Sequence, residues 1–522
     1  MAPRRPGAAA ARQGRVMALA RAWSVALRGV EGVPVEIEAD VGAGSVGTQL
    51  LGLPDAALHE SKDRVRAAVR NSGQQWPAHR VTLGLSPASM PKGGTGYDVA
   101  LACAVLAAAQ VVPPERLEGV ALLGELALDG RVRPVRGVLP ALVAARSAGL
   151  RRAVVPLSAL PEASLVTDLD CLGAASLRDV VTWLSGDDAA LVPPGPPTWS
   201  DAAQGPDLAD VVGQPEARWA LEVAAAGGHH LLLTGPPGTG KTMLARRLVT
   251  LLPPLSVEEA LSVTAVHSVA GLLTEETPLV TTPPFVAPHH STSISALVGG
   301  GSGLAKPGAV SRAHRGVLFL DEACEFGAAK LDSLRTALEE GEVRVARSDG
   351  VVRYPAGFQL VLATNPCPCA PVRDLDCTCP SAVRRRYQSK LSGPLLDRVD
   401  LRVPMRPLTE ATIAAHPTPP ESTAVVRSRV TEARARAIHR WSEHGWQSNA
   451  QVPGPILRRD HPLPETTTHA LQLALSRGAL TGRGADRCLR VAWTLADLDG
   501  APEPTRAHVA TALEFRERTQ PW

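Results

Sequence analysis

Eight consecutive residues, Gly235-Pro236-Pro237-Gly238-Thr239-Gly240-Lys241-Thr242, constrain this chain more than any other stretch. They follow the pattern of a phosphate-binding loop: Gly, four residues, then Gly-Lys-Thr. Glycines let the backbone turn tightly and aim its N–H groups at phosphate oxygens. Lys241 would reach the β- and γ-phosphates of a nucleotide, and the Thr242 hydroxyl would ligate Mg²⁺. The flanks agree. His230-Leu231-Leu232-Leu233-Thr234 reads as a short buried strand, and Met243 to Val249 as a helix stopped by Pro253-Pro254. A helix N-terminus behind a glycine loop favours an anion. The fold class expected here is α/β, a P-loop domain with a parallel sheet.

With 522 residues the chain has room for roughly two to four domains. It is 45% hydrophobic and 20% charged, which is ordinary for a globular protein. A net charge of +3 neither points to nucleic acid nor excludes it, because a local basic channel can hide in a neutral total. No apolar run reaches the roughly 18 residues of a membrane span, so no membrane partner is expected. Residues 1–16 are rich in Arg, Ala and Gly without an apolar core. They read as a tail, or as an over-long start ahead of Met17, and not as a secretory signal. Cysteines without such a signal suggest a reducing, cytoplasmic setting.

Composition divides the chain further. Residues 17–185 alternate β-like runs (Val35 to Ala39, Arg80 to Leu85, Ala153 to Val155) with helical stretches (Ala57 to Asn71, Asp98 to Ala109). Val35-Glu36-Ile37-Glu38-Ala39 alternates apolar and acidic residues, the period of a half-buried strand. Residues 186–207 are rich in Pro, Asp and small residues, as expected of a linker. The P-loop domain spans 208–406, a second Pro-rich linker 407–421, and an all-helical region 422–522. In that last region Ser422 to His444, Thr466 to Leu475, Ala485 to Leu498 and Thr505 to Phe515 read as helices.

Gly316-Val317-Leu318-Phe319-Leu320-Asp321-Glu322 is an apolar strand ending in two carboxylates. Asp321 is the candidate holder of Mg²⁺, and Glu322 the candidate to orient or deprotonate an attacking water. A third strand, Phe358 to Ala363, ends at Thr364-Asn365, where ligands sit in open α/β sheets. Asn365 either positions the water or starts the turn before Pro366. Leu395 to Leu401 reads as a strand-like run with Arg398 inside it. Arg398 either neutralises transition-state charge, often from a neighbouring subunit, or pairs with Asp397 or Asp400.

Together, Gly235–Thr242, Leu318–Glu322, Ala363–Asn365 and Leu395–Leu401 resemble Walker A, Walker B, sensor 1 and the arginine finger of AAA+ ATPases. Asp210-Val211-Val212-Gly213-Gln214, Ala225 to His230, Ala287-Pro288-His289-His290 and Asn365-Pro366-Cys367-Pro368-Cys369 narrow the resemblance to the YifB/ComM family of magnesium-chelatase-like ATPases, from about Met17 onward. The resemblance implies hydrolysis of ATP with Mg²⁺, and Arg398 acting in trans within a ring, expected to be a hexamer. It also implies a sensor-2 role for Arg483, in Thr481-Gly482-Arg483-Gly484-Ala485-Asp486-Arg487, on a helical lid; Arg487 is the weaker choice. Without the resemblance, Arg483 passes as a helix-cap or surface charge. The activity implied is a motor or helicase on single-stranded or branched DNA, by branch migration or unwinding in recombination or DNA uptake. The alternative is a chaperone-like ATPase that remodels a protein partner, as in magnesium chelatase.

In the N-terminal region, Pro91 to Asp98, Gly124-Glu125-Leu126 and Pro134 to Leu139 resemble the Lon-protease domain, an S5-type α+β fold. The positions of its serine nucleophile and activating lysine fall on Gly96 and Leu139, which cannot do that chemistry. No peptidase activity is expected there, and a scaffold or partner-binding role remains.

Cys367-Pro-Cys369 and Cys377-Thr-Cys379 form a cluster. Four thiolates can close a tetrahedral, structural Zn²⁺ site, although each pair is more tightly spaced than usual; reduced thiols are the alternative. Val343 to Tyr354 carries β-branched runs on both sides of Asp349-Gly350, a hairpin signal. In related ATPases a hairpin at this place enters the ring's channel, so Arg344, Arg347 or Arg353 could meet phosphates; an ordinary solvated hairpin is the plainer reading. Ala296 to Gly303 resembles part of the family's insert in helix 2, a second channel element. Arg384 to Lys390 is a basic run that could touch a nucleic-acid backbone or simply be solvated. His229-His230 and His289-His290 are assigned no metal.

Overall fold

The computed structural model describes residues 19–53, 55–90, 92–196, 205–274, 277–301, 305–347, 350–371, 376–407 and 420–517. The tail at 1–16 and most of the second expected linker fall outside these residues. The chain divides into two compact units, at residues 198 and 199.

The first unit is built on a seven-stranded mixed sheet. Its strands are β1 (Leu19–Arg28), β2 (Glu31–Gly42), β3 (Gly47–Leu51), β4 (Arg80–Ser86), β5 (Val120–Leu122), β6 (Arg152–Pro156) and β7 (Asp170–Ala174), in the order β3-β4-β2-β1-β5-β6-β7. β2 pairs antiparallel with both β1 and β4, and the remaining pairs are parallel. The alternation in β2 does what its period requires. Val35, Ile37 and Ala39 are fully buried, while Glu36 and Glu38 face Arg21 across the pair at 3.3 and 3.1 Å. The longer helices of the unit are α1 (Ala56–Asn71), α2 (Asp98–Ala108), α3 (Val138–Ser147) and α4 (Leu177–Leu184). Every residue of α2 is buried, consistent with its all-round apolar sequence. Its one charge, Asp98, accepts hydrogen bonds from Arg64 at 2.6 and 3.1 Å.

The stretch expected as a linker from residue 186 does not begin there structurally. Val192 bridges Gly173 of β7, and Leu191 is buried in the first core. Prolines and small residues prevent a regular element without preventing packing. Its far end is pinned too: the Asp207 carboxylate accepts from the Ala209 and Thr423 N–H groups at 2.9 and 2.7 Å.

The second unit has a five-stranded, wholly parallel sheet. Its strands are β8 (Leu231–Thr234), β9 (Phe285–Val286), β10 (Val317–Leu320), β13 (Gln359–Thr364) and β14 (Leu401–Pro404), in the order β9-β10-β13-β8-β14. The hairpin β11 (Glu342–Arg347) and β12 (Gly350–Pro355) is inserted between β10 and β13. β10 and β13 are buried at every residue, as their continuous apolar runs require. Around the sheet lie α5 (Pro215–Gly227), α6 (Lys241–Leu251), α7 (Val257–Ala270) and α8 (Ser381–Gln388).

The long C-terminal helices are α9 (Thr423–Arg440), α10 (Glu465–Ser476), α11 (Gly482–Asp499) and α12 (Arg506–Glu517), each within a few residues of its expected span; a short helix at Gly454–Asp460 was not expected. They share one core with α5, α6 and the sheet, running from Leu208 to Phe515. Trp441, fully buried at the end of α9, donates from Nε1 to Asn449 at 2.8 Å. No helix among the described residues is long and apolar enough to cross a membrane.

Candidate functional site

Parallel strands bring their carboxyl ends, and the loops that follow, to one edge of the sheet. The loop after β8 is the expected phosphate loop. Gly238 and Gly240 adopt φ of 80° and 89°, open only to glycine without strain. A Cβ on Gly235 would stand 2.4 Å from the Met405 carbonyl oxygen, so this close approach also needs glycine. The Gly235 N–H donates to the Thr364 carbonyl at 3.1 Å, joining the loop to the end of β13. Gln214 braces it from below, donating to the Thr239 and Arg406 carbonyls at 3.3 and 2.8 Å. That role for Gln214 carried no signal in the sequence beyond the string it belongs to.

Lys241 opens α6 and is buried. Its Nζ donates to the carbonyls of Gly235 and Pro236 at 2.6 and 2.8 Å and to Asn365 Oδ1 at 3.2 Å. Burial lowers its pKa, opposed by the nearby Asp321 and Glu322 carboxylates. The Thr242 hydroxyl donates to Asp321 Oδ2 at 2.7 Å. Asp321 Oδ1 accepts the Glu322 N–H at 2.9 Å. The ends of β8, β10 and β13 thus bring Lys241, Thr242, Asp321, Glu322 and Asn365 to one place. Thr242 and Asp321 offer hard oxygen donors side by side, the ligand type Mg²⁺ takes.

Glu322 has a second neighbour that the sequence did not reveal. His290 Nδ1 lies 3.5 Å from Glu322 Oε2. Lys330 Nζ holds the His290 carbonyl at 2.8 Å.

Arg398 departs from the expectation. The run Leu395 to Leu401 is not a strand. Residues Gly393–Leu396 form a short helix capped by Ser392, with Pro394 in its first turn, and β14 starts only at Leu401. A Ser cap followed by an early Pro favours helix over strand. Neither Asp397 nor Asp400 pairs with Arg398. Its side chain is 6% exposed, and its guanidinium bonds Glu339 and the Pro394 carbonyl. Asp400 is instead taken by Arg487 Nη1 at 2.6 Å and by the His230 N–H at 2.9 Å. Burial alone would raise the Asp400 pKa; Arg487, His229 and His230 outweigh it and hold the carboxyl well below its usual range. Arg487 is therefore engaged within the chain. Arg483, in the first turn of α11, is exposed and has no polar partner among the described residues.

The cysteines converge. Cys367 Sγ lies 3.2 Å from Cys369 Sγ and 3.5 Å from Cys377 Sγ, and Cys369 Sγ 3.7 Å from Cys377 Sγ. All four sulfurs, with Cys379, lie within 4.8 Å of one another. A tetrahedron with ~2.3 Å Zn–S bonds has edges of about 3.8 Å, so the set fits zinc. Bonds from Cys367 and Cys379 hold the Cys369 thiol low, at about 7.

The hairpin forms as expected, although residues 348 and 349 and the Arg347 side chain lie outside the described set. Val343, Val352 and Tyr354 are buried, and Arg344 and Arg353 are directly opposite one another on the exposed face. Arg344 is held by Glu340 and Glu342 at 3.0 and 2.6 Å; Arg353 has no polar partner among the described residues. Of the glycine-rich insert, Gly299–Gly300 pairs with Lys306–Pro307, and residues 302–304 are outside the described set. The basic run falls on α8, which exposes Arg385 and Arg386 and buries Tyr387.

Family models described as magnesium chelatase, subunit ChlI, match residues 207–413 and, for its C-terminal part, 420–516; one described as subunit ChlI of Mg-chelatase matches 37–159. An uncharacterised protein of Mycobacterium tuberculosis is 60% identical over 96% of this chain and 99% of its own length. The competence protein ComM of Haemophilus influenzae is 39% identical over 96% of this chain and 98% of its own, and YifB of Escherichia coli 39% over 96% and 97%. The magnesium-chelatase 38 kDa subunit of Cereibacter sphaeroides is 28% identical over 60% of this chain and 92% of its own. The chain belongs to the YifB/ComM family of magnesium-chelatase-like AAA+ ATPases.

Proposed function

We propose that this chain is an ATP-driven ring motor acting on single-stranded or branched DNA, a branch-migration or unwinding helicase of recombination or DNA uptake. A hexamer is the ring the family resemblance implies. The observation that carries the reading is the arginine face of the hairpin. Arg344 is held by Glu340 and Glu342, while Arg353 opposite it has no polar partner among the described residues and is left for a phosphate. That hairpin hangs between β10, which carries Asp321 and Glu322, and β13, which carries Asn365, so nucleotide chemistry can move it.

Lys241 exchanges its loop carbonyls for β- and γ-phosphate oxygens. Thr242 and Asp321 would hold Mg²⁺, which would supply positive charge to neutralise those oxygens. Asn365 orients the lytic water and Glu322 takes its proton as the water oxygen bonds to the γ-phosphorus; the bond to the β,γ-bridging oxygen breaks, releasing ADP and phosphate. Arg398 of a neighbouring subunit, freed from Glu339, stabilises the equatorial oxygens, and Arg483 of the lid reports the nucleotide.

Cys367, Cys369, Cys377 and Cys379 hold a structural zinc with no position left for water. The N-terminal unit serves as a scaffold or partner-binding domain, a Lon-like fold without peptidase chemistry: Gly96 has no side chain and Leu139 is buried. Cysteines without disulfides suit a cytoplasmic protein.

The test is ATP-dependent displacement of one strand from a three-strand junction. Displacement that requires hydrolysable ATP and Lys241 supports the motor. Its absence in protein that hydrolyses ATP removes the DNA reading. Similarity to the chelatase subunit would then favour a remodeller of a protein partner.

A further inference from the structure

Arg398 lies in the short segment 397–400, between the helix Gly393–Leu396 and β14. Two lid arginines grip this segment on its C-terminal side and one reaches across to its start. Arg487 of α11 donates from Nη1 to Asp400 Oδ1 at 2.6 Å. Arg516 of α12 donates from Nη1 to the Val399 carbonyl at 3.0 Å, and its Nη2 stands 3.8 Å from Asp397 Oδ1. Asp400 is 1% exposed, and its other oxygen accepts the His230 N–H at 2.9 Å. The same carboxylate thus ties the lid to the strand that leads into the phosphate loop.

The partner of this geometry is on α11 itself. Arg483 precedes Arg487 by one turn, at the i,i+4 spacing that places both on one face. One helix carries an exposed arginine suited to a nucleotide and a buried grip on the residues beside Arg398. The segment is thus contacted from the lid at Asp397, Val399 and Asp400, and from the core by the His230 backbone, so it joins the two.

We propose that Arg487 and Arg516 are positioning residues for Arg398, coupling the lid of one subunit to the arginine it presents to the next. Lid movement at a subunit's own nucleotide carries segment 397–400 with it, and so advances or withdraws Arg398 at the neighbouring site. The inference rests on the reading of Arg398 as a finger acting in trans.

Full-length Arg487→Lys, Arg487→Met and Arg516→Met are compared with Arg398→Ala, and with Arg398→Ala combined with each Met substitution, by steady-state ATP turnover and by direct binding of a fluorescent ATP analogue. The Met variants are expected to bind nucleotide within about 2-fold of wild type and to lose roughly 10-fold in kcat, with Arg487→Lys losing less. In the Arg398→Ala background the same substitutions should add nothing. Because the lost function is one a subunit gives its neighbour, mixing either Met variant with Lys241→Ala should restore turnover.

Wild-type kcat in both Met variants overturns the proposal. So does a defect that adds fully to Arg398→Ala and is not complemented by Lys241→Ala, which would place these arginines in their own subunit's chemistry. Arg487→Met strands the buried Asp400 carboxylate. If it does not fold, Arg516→Met carries the same test. Arg398→Ala turning over at the wild-type rate would overturn the finger reading itself, whereas an impaired Arg398→Ala beside wild-type turnover in every Met variant that folds overturns the coupling alone.

Discussion

Glu322 is a non-glycine residue in left-handed backbone, with φ 49° and ψ 48°. That conformation costs about 1–2 kcal/mol, and the bond from its own N–H to Asp321 helps to hold it. Strained backbone of this kind clusters at active sites, which fits a carboxylate placed for chemistry. Glu322→Gln keeps the shape and removes proton acceptance. ATP turnover should fall by about 10²–10⁴-fold while nucleotide affinity and assembly persist; turnover near wild type would give the carboxylate another role. At this scale the sequence was most legible where function is local. The phosphate loop, Asp321 and Glu322 announce themselves within a few residues. His290 beside Glu322, Glu339 beside Arg398 and Gln214 under the loop did not, because each contact joins residues that only the fold brings together.

Among elements, periodicity served well for β2, the lid helices and the hairpin, whose faces alternate or wind with a clear buried side. It failed for Leu395 to Leu401, where a short apolar run fits helix and strand equally and only the cap decides. Two predictions belong here. Arg353→Glu reverses charge on the hairpin's exposed face while Val352 and Tyr354 keep it packed. Basal ATP turnover should remain and DNA stimulation should drop several-fold, with a shallower salt dependence of binding; unchanged stimulation would clear the hairpin of DNA contact. The cysteine cluster should yield about one zinc per chain by elemental analysis. Cys377→Ser should lose it and lower the melting temperature, since structural zinc contributes on the order of 10 kcal/mol of apparent folding energy in small domains. Metal-free protein with an unchanged melting temperature would leave these as reduced thiols.

In the whole molecule, the proposed function divides the chemistry between copies of the chain. The chain holds Lys241, Asp321 and Glu322 together but turns Arg398 inward onto Glu339. On the proposed reading, a neighbour's Arg398 completes the site. Mixing inactive Arg398→Ala with inactive Lys241→Ala should partly restore ATP turnover, because some mixed interfaces join an intact loop to an intact arginine. Mixtures that co-assemble and stay inactive at every ratio would place Arg398 outside the neighbour's site. The most direct measurement of the central claim is ATP turnover by the full-length protein with and without forked or three-strand DNA. Several-fold stimulation, abolished by Glu322→Gln, is the result expected of a DNA motor. Turnover indifferent to DNA at every concentration, in protein that binds ATP and assembles, would contradict it.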